Sequence, residues 1–518
     1  MRLHRLITAG AVVLPLACGT GGRAPERSTA GSKIGIEPLS QVHLYENHSS
    51  SLIAWRRAGA QGRIVVHLDG HADLDWLPDA TIARIAAADP DELPHLELHP
   101  YVLDGTTHQR FAIWNFLYPA ARLGVMRSYV WVVPDGTLPD AGAAEALVQG
   151  LVLRKMQKVT LDEAHSLHRE GRVIRGTILG VDTTICELAD LPVFDEPVLL
   201  DVDLDFLTTR SATTQEVTEA PWIDPASLVA RLRAKRLRAD LATVSYSTFG
   251  GFLPPSCRWL GRAMTDALEG DVDAATQRAA VYAREAEARV QALPDDAAAW
   301  YALSLAEARA GRSAERETAR ARAVALDPVL SDAGLFEADA LFINGRWADA
   351  LAAYRDYRRA HPIGPFTVYG LRREASCLAR LRRDDEAIAT LRRVVAEAPQ
   401  HGDSRLELGV LLRESGDVEG AVAEFREARR ILPDQGSYAM ALGTGYAREG
   451  RVDDALSELA DAVRLRPTWA AAQANLGGLL IEAGRPAEAA VHLDAAAFLD
   501  PGDPAIRDLR ARVKASAR

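Results

Sequence analysis

The stretch Arg63-Ile-Val-Val-His-Leu-Asp-Gly-His-Ala-Asp-Leu74 decides how the first half of this chain folds. Its apolar beginning predicts a buried β-strand, and charged or imidazole side chains follow at alternate positions directly after it. A second stretch of this kind, Val198-Leu-Leu-Asp-Val-Asp-Leu-Asp-Phe206, occurs much later. Burying unpaired carboxylates is costly, so each cluster needs a partner of opposite charge, and a divalent cation is the simplest one.

Similar apolar runs surround these two stretches and alternate with amphipathic segments. We predict strands over residues 41–45, 64–68, 128–133, 198–202 and 242–245, and helices over residues 80–88 and 141–154. Strands that alternate with helices are typical of an α/β domain, in which helices cover a parallel sheet. We therefore expect such a domain over residues 33–268.

The second half of the chain is a repeat array. Prolines recur at intervals of 34 residues, with one interval of 37, at Pro294, Pro328, Pro362, Pro399, Pro433, Pro467 and Pro501. Glycines keep the same spacing near the middle of the units, at Gly311, Gly345, Gly416, Gly450 and Gly484. A unit of 34 residues with a central turn is the signature of the tetratricopeptide repeat. The sequence thus predicts an all-α tetratricopeptide solenoid over residues 269–518.

The N-terminus has a different character. Arg2 and Arg5 precede an apolar run over residues 6–17, which Cys18 and a stretch rich in Gly, Ser and Thr follow. This pattern predicts an export signal and linker over residues 1–32, and its end resembles a bacterial lipoprotein cleavage box. The run is shorter than the roughly 20 apolar residues that span a bilayer. We therefore expect a lipoprotein of the bacterial cell envelope, which meets the membrane only through an N-terminal lipid anchor.

Composition excludes some classes of function. The net charge of −11 and the pI near 5.7 argue against nucleic acid as a partner, because phosphate binding needs a basic surface. The cysteines lack the paired spacing of a disulfide framework or a zinc knuckle; they are Cys18, Cys186, Cys257 and Cys377.

The polar residues that follow the predicted strands form a candidate metal site. One strand is followed by Asp69, His71 and Asp73, and another by Asp203 and Asp205. Because the carboxyl ends of parallel strands share one edge of a sheet, we expect these side chains to converge. His48, after the first predicted strand, is a further contributor, whereas His43 and His67 fall inside strands and are expected to be hydrogen-bonded core residues. Mixed carboxylate and imidazole ligands suit manganese, iron or zinc, and a carboxylate-rich set favours Mn²⁺.

The order of these motifs resembles the peptide-arginase-like branch of the arginase and deacetylase (ureohydrolase) superfamily. The matching residues are Glu46-Asn-His48, His67-Leu-Asp-Gly-His-Ala-Asp-Leu74, Asn115, Trp131-Val-Val-Pro134 and Leu200-Asp-Val-Asp-Leu-Asp-Phe206. The resemblance covers about residues 40–260 and implies an arginase-like, three-layer domain with a parallel sheet. It also implies two Mn²⁺ ions, with Fe²⁺ or Zn²⁺ as alternatives. One ion would be held by His48, Asp69, Asp73 and Asp203, and the other by Asp69, His71, Asp203 and Asp205. Asp69 and Asp203 would bridge, and Asp201 would lie beside the site.

The resemblance further implies an enzyme that hydrolyses carbon–nitrogen bonds. Two cations activate a shared water, which in an arginase-like reaction attacks a guanidinium carbon and yields ornithine and urea. The leaving amine takes a proton from Asp205 or a nearby histidine, for which His108 and His99 are candidates. Peptide or protein arginine is the favoured substrate, recruited by the repeats.

Two alternatives stay open. The stretch over residues 243–251 offers hydroxyls and glycines where free-arginine enzymes carry an acidic residue on a late strand, so an amide deacetylase is one of them. The other is a protein-binding scaffold whose arginase-like domain is catalytically inactive, in which the repeats bind a peptide or protein partner.

Overall fold

A computed structural model describes residues 39, 41–99, 101, 103, 105–218, 220–246, 251–270, 272–326, 333–363 and 366–516. The predicted export signal and Cys18 lie outside these residues. By internal contacts the chain divides into two compact units. Pro38–Ala275 and Asp332–Arg518 form one unit, and the described part of the other covers residues 276–326. The boundaries at residues 33 and 269 stay predictions.

An eight-stranded mixed sheet forms the centre of residues 39–270, which we call the sheet region. Its strands are β1 (Val42–Tyr45), β2 (Arg63–Leu68), β3 (Met126–Val133), β4 (His168–Glu170), β5 (Val173–Ile178), β6 (Val181–Glu187), β7 (Val198–Asp203) and β8 (Ala239–Ser245). The strands lie side by side in the order β1-β8-β7-β2-β3-β6-β5-β4. The first six in this order run parallel to one another: β1, β8, β7, β2, β3 and β6. All the predicted strands are present, and all of them belong to this parallel part.

The expectation of a parallel sheet was wrong at one edge, where β5 and β4 run antiparallel to their neighbours. Leu179 and Gly180 join β5 to β6 with φ angles of +52° and +77°, which is the backbone of a tight hairpin turn. So short a connection cannot hold the crossover helix that parallel strands need. Strands β4, β5 and β6 were not predicted from the sequence.

Helices and apolar clusters cover both faces of the sheet. Val65 and Val66, neighbours on β2, belong to different clusters, because successive side chains of a strand point to opposite faces. The helices are α1 (Ser50–Arg57), α2 (Asp79–Ala87), α3 (Leu117–Arg122), α4 (Ala141–Leu147), α5 (Leu161–Ser166), α6 (Asp205–Thr208), α7 (Pro225–Ala234) and α8 (Trp259–Glu269). The helix predicted over residues 141–154 is only partly α-helical, since it widens into a π-helical turn over Val148–Leu153.

The remaining described elements are helices, most of which pack against the next helix in the chain with the predicted period. They are α9 (Val272–Ala292), α10 (Ala297–Arg309), α11 (Ser313–Leu326), α12 (Ala333–Ile343), α13 (Trp347–Ala360), α14 (Thr367–Arg380), α15 (Asp384–Glu397), α16 (Gly402–Glu414), α17 (Val418–Ile431), α18 (Gly436–Arg448), α19 (Val452–Leu465), α20 (Ala470–Glu482), α21 (Pro486–Leu499) and α22 (Pro504–Ser516). We call residues 333–516 the repeat region. Among the described helices, none is both long and apolar enough to cross a membrane.

Small residues allow the paired repeat helices to approach closely. A Cβ on Gly409 would lie 2.5 Å from the ring of Phe425, and one on Gly443 would lie 2.9 Å from Leu459. Arg382 takes the left-handed turn position, with φ +59°, that a glycine occupies in the repeats that follow.

Candidate metal centre

The first group of candidate ligands surrounds the Nδ1 atom of His48. This atom lies 2.9 Å from Oδ2 of Asp203, 3.1 Å from Oδ2 of Asp73 and 3.4 Å from Oδ2 of Asp69. The imidazole of His48 is fully buried. Loops at the carboxyl ends of β1 and β2 and the end of β7 supply these side chains, so residues far apart in sequence meet where the strands end.

The second group surrounds the Nδ1 atom of His71. This atom lies 2.9 Å from Oδ2 of Asp205 and 3.3 Å from Oδ1 of Asp69. Asp69 therefore offers one oxygen to each group, which is the arrangement expected of a bridging ligand. For Asp203, Oδ2 faces His48 while Oδ1 accepts a hydrogen bond from the backbone N–H of Asp205 at 3.1 Å, so its bridging role stays a prediction.

Asp201 lies behind the first group and orients two imidazoles. Its Oδ2 lies 2.8 Å from Nε2 of His48 and 2.8 Å from Nδ1 of His67. Its Oδ1 accepts hydrogen bonds from the hydroxyls of Ser51, at 2.8 Å, and Thr243, at 2.5 Å. With Nε2 held by a carboxylate, His48 presents Nδ1 to the candidate site, a pattern found behind many metal-ligating histidines.

The two histidines that the sequence places inside strands differ from each other. His67 is buried and bonded to Asp201, as expected, and its Nε2 lies 3.1 Å from Oδ2 of Asp69, close enough to make it an additional candidate ligand. The expectation for His43 was wrong: this residue is exposed and stacks on Tyr45, because its side chain lies near the sheet edge formed by β1.

Side chains of β3 hold the loop after β2 in place. Trp131 donates a hydrogen bond from Nε1 to the carbonyl oxygen of Asp69 at 3.0 Å, and Tyr129 donates one from its hydroxyl to the carbonyl oxygen of Ala72 at 2.6 Å. Asp73 has a left-handed backbone, φ +45°, which bends the loop and costs roughly 1–2 kcal/mol for a residue other than glycine.

A buried glutamate fixes the loop that carries His48. Glu97 accepts hydrogen bonds from Nδ2 of Asn47, at 2.5 Å, and from the hydroxyl of Ser49. Burial raises the pKa of Glu97, and these hydrogen bonds partly oppose the rise. Glu97 was not predicted from the sequence, since no local pattern connects it with a loop about 50 residues earlier.

The pKa values of Asp69 and His48 are shifted by burial and by neighbouring carboxylates. Burial and the neighbouring carboxylates of Asp205, Asp203 and Asp73 raise the pKa of Asp69 to about 8. Burial opposes protonation of the His48 imidazole, yet the carboxylates of Asp201 and Asp203 outweigh it and raise the pKa of His48 well above its usual value. Asp69 and His48 thus retain protons at neutral pH, and a divalent cation would displace them.

The donors fit a pair of divalent cations. Two ligands about 2.1 Å from one cation, at right angles, are about 3 Å apart, which matches the separations around both Nδ1 atoms. Within the described part of the chain, Nδ1 of His48 and Oδ2 of Asp69 are buried without a hydrogen bond of ordinary geometry. Buried polar atoms rarely lack a partner, so these atoms are suited to binding a cation.

Access to the candidate site runs past His71 and Asp73. Their side chains are 20% and 10% exposed, whereas those of Asp203, Asp205, His48 and Asp69 are at most 3% exposed. The ring of Phe252 lies 4.2 Å from the His71 ring, edge to face, and therefore lies beside this access route.

The predicted proton carriers other than Asp205 lie elsewhere. His108 stands edge-on to Trp76, at 6.1 Å between ring centres. Burial lowers the pKa of His108, which the carboxylates of Asp434 and Asp403 partly oppose. His99 stacks on Phe366. The described contacts bring neither histidine to the carboxylate cluster, so their catalytic roles stay predictions.

Comparisons with known proteins identify the repeats. Tetratricopeptide-repeat families match residues 335–401, 378–436 and 446–513, so the C-terminal region consists of tetratricopeptide repeats and is a protein-binding scaffold. No curated protein matches this chain.

Three solved structures illustrate what the chain is similar to. MamA from Desulfovibrio magneticus RS-1 is 16% identical over 34% of this chain and 97% of that chain, with a TM-score of 0.31. YrrB, a TPR protein with an unusual peptide-binding site, is 20% identical over 37% and 97%, with a TM-score of 0.32. A thermophilic TPR protein of Thermus thermophilus is 24% identical over 36% and 98%, with a TM-score of 0.28.

Proposed function

We propose that this protein is a dinuclear metal-dependent hydrolase of carbon–nitrogen bonds, arginase-like in its sheet region, which converts peptide or protein arginine to ornithine and urea. One observation carries the proposal: Asp69 offers its two oxygens to two separate groups of buried donors, one around His48 and one around His71. A pair of cations that share one carboxylate would use both groups at once.

The donor set favours Mn²⁺. Each group combines one imidazole nitrogen with carboxylate oxygens, and a site rich in oxygen ligands suits manganese better than zinc or copper. His48, Asp69, Asp73 and Asp203 would hold one ion. The other would be held by Asp69, His71, Asp205 and Asp203.

When bound, two such cations lower the pKa of a shared water and orient it toward an electrophilic carbon. The water oxygen adds to the guanidinium carbon, and the bond from that carbon to the side-chain nitrogen breaks. Asp205 takes one proton of the water and delivers it to the leaving nitrogen. That nitrogen also gains the hydroxyl proton of the tetrahedral intermediate, so that urea and a protonated amine result. Asp201 holds the His48 ring in position throughout.

The proposal also includes roles for the repeats and for the N-terminal segment. The repeats would recruit the peptide or a partner protein, and the N-terminal segment would export the chain and anchor it in the bacterial cell envelope.

Urea release tests the proposal directly. Purified chain loaded with Mn²⁺ should release urea from an arginine-containing peptide and leave ornithine at that position, detected by mass spectrometry. Asp69→Ala should abolish release. Glu187→Gln is the matched control, because Glu187 is buried on β6 with β3 between it and β2, and it should leave release unchanged. Two bound Mn²⁺ without urea from a panel of arginine peptides would contradict the proposal.

One feature of the site favours an amide substrate as the second candidate. At the end of β8 the chain places Thr243 and Ser245, not a carboxylate that could pair with a guanidinium. Within the described residues, the Ser245 hydroxyl is buried and has no hydrogen-bond partner. Acetate release from acetylated lysine or amino-sugar substrates, without urea release, would favour this deacetylase function. If neither urea nor acetate is released, the protein-binding scaffold remains as the function.

A further inference from the structure

The repeat region is joined to the sheet region through Asp339 on α12. Asp339 is fully buried, and its carboxylate accepts hydrogen bonds from the hydroxyls of Tyr101, at 2.6 Å, Tyr354 and Tyr369, the last at 3.0 Å. Tyr101 comes from the sheet region, is 1% exposed and lies 4.2 Å from the Tyr369 ring, within the apolar core of the repeats. Part of the repeat surface is therefore occupied by the chain itself.

The backbone of α12 also touches the loop after β8. Gly251 has φ +86°, and a Cβ on it would lie 2.3 Å from the carbonyl carbon of Asp339 and 2.4 Å from the nitrogen of Ala340. Only glycine fits so close to another backbone. The next residue is Phe252, whose ring contacts His71 and whose carbonyl oxygen accepts a hydrogen bond from Thr208 in α6 at 3.2 Å.

A second chain of contacts leads from α12 to the same place. Asn344, directly after α12, accepts a hydrogen bond through Oδ1 from the backbone N–H of Val217 at 3.2 Å. Val217 forms a β-bridge with Thr209. The Thr209 side chain lies against Gly70, where an added Cβ would be 3.0 Å from its methyl group. Both chains of contacts end at the loop that carries Asp69 and His71.

We propose that the repeat formed by α12 and α13 borders the metal centre, and that the contacts of α12 and Asn344 with the loops at Gly251 and Val217 fix the orientation of His71. This inference rests on the proposed function in taking His71 as a ligand. The side chain of His71 is the most exposed of the candidate ligands. It therefore needs Phe252 to keep its Nδ1 turned toward Asp69 and Asp205. The repeats then act as an intramolecular partner of the site, and a protein that displaces α12 would alter metal binding.

Gly251→Ala in the full chain tests this. Gly416→Ala is the matched control, since Gly416 has a comparable φ of +93° in a repeat turn and no atom lies within 4 Å of its added Cβ. We expect Gly251→Ala to weaken the binding of one Mn²⁺ by about 10-fold or more, the range seen when groups that orient metal ligands are altered. Gly416→Ala should bind both ions as the wild type does.

A second pair of variants covers the case that Gly251→Ala does not fold. Asn344→Ala removes the acceptor for the Val217 N–H, whereas Asn344→Asp keeps an oxygen there. We expect weaker Mn²⁺ binding in the alanine variant and restored binding in the aspartate variant, as measured by isothermal titration calorimetry. Equal affinities within both pairs would overturn the inference.

Hydrogen–deuterium exchange of the metal-free chain separates this inference from the proposed function. Residues 69–76 and 205–218 should exchange faster in Gly251→Ala than in Gly416→Ala, and faster in Asn344→Ala than in Asn344→Asp. Identical exchange would overturn the inference whether or not Mn²⁺ binds. If the wild-type chain bound no Mn²⁺ while the variants showed these differences in exchange, only the proposed function would be overturned.

Discussion

Replacing Asp201 with alanine removes the carboxylate that orients His48 without removing any predicted ligand. Asp201 is fully buried and bonded to His48, His67, Ser51 and Thr243. Removing one partner of a buried charged network costs about 3–5 kcal/mol, because the groups left behind keep no partner. Loss of a hydrogen bond behind a metal-ligating histidine typically weakens metal binding about 10–100-fold. We expect Asp201→Ala to lie at the upper end of this range, since it releases two imidazoles together.

Asp201→Asn separates charge from hydrogen bonding. The amide oxygen can face His48 and His67 while the amide NH₂ donates to the hydroxyls of Ser51 and Thr243, so every contact keeps a partner. Only the negative charge is lost. Hydrogen bonds to charged groups are worth about 1 kcal/mol more than neutral ones, so we expect an intermediate loss, about 10-fold in Mn²⁺ affinity.

The assay is Mn²⁺ titration of each full-length variant by calorimetry, with urea denaturation to measure the free energy of unfolding. Glu187→Gln serves as the control, because Glu187 is also buried and accepts hydrogen bonds, from Gly136 at 2.9 Å and Leu138 at 2.6 Å. It should lower stability and leave Mn²⁺ affinity unchanged. A folded Asp201→Ala chain that binds Mn²⁺ with wild-type affinity would refute the reasoning.

Three further predictions follow from the same contacts. Asp69→Asn should lose both Mn²⁺ ions and Asp73→Asn only one, as measured by metal content after dialysis, because Asp69 alone of the two faces both groups. Mn²⁺ affinity should rise with pH, because the metal-free Asp69, whose pKa is about 8, and the His48 imidazole hold protons that the cation must displace; a flat profile across about pH 6–9 would contradict this. Tyr101→Ala should lower the free energy of unfolding by about 3–5 kcal/mol, since it empties a buried aromatic position, whereas Tyr101→Phe should cost about 1–3 kcal/mol for the hydrogen bond to Asp339, both measured by urea denaturation.

The repeats could be read from the sequence because their information is local and periodic. Each unit repeats its glycine turn and its small residues at fixed spacing, and each helix contacts mainly its neighbours in the chain. The parallel strands were equally accessible, since their apolar runs bear a local signal. Strands β4 to β6 were missed, because polar residues such as Arg175 and Asp182 interrupt them and only pairing with a neighbour makes them strands.

The candidate ligands could be named from their spacing, but their grouping could not. Alternation along β7 predicts that Asp201 and Asp203 share a face. It does not tell which carboxylate contacts Nε2 of His48 and which contacts Nδ1. No local pattern pointed to Glu97, or to Phe252 beside His71. Such contacts join residues that are far apart along the chain and depend on how loops close over the sheet.

The sequence by itself determined the repeat architecture, the parallel strands and the residue types that can bind metal, because each of these depends on spacing within a few turns or strands. Only the tertiary structure decided that Asp69 serves two groups of donors, that Asp201 orients His48, and that α12 lies against the loops beside His71. The physical reason is that a buried charge is stabilised by whatever the fold brings within about 3 Å of it, and that distance is set by packing rather than by sequence separation.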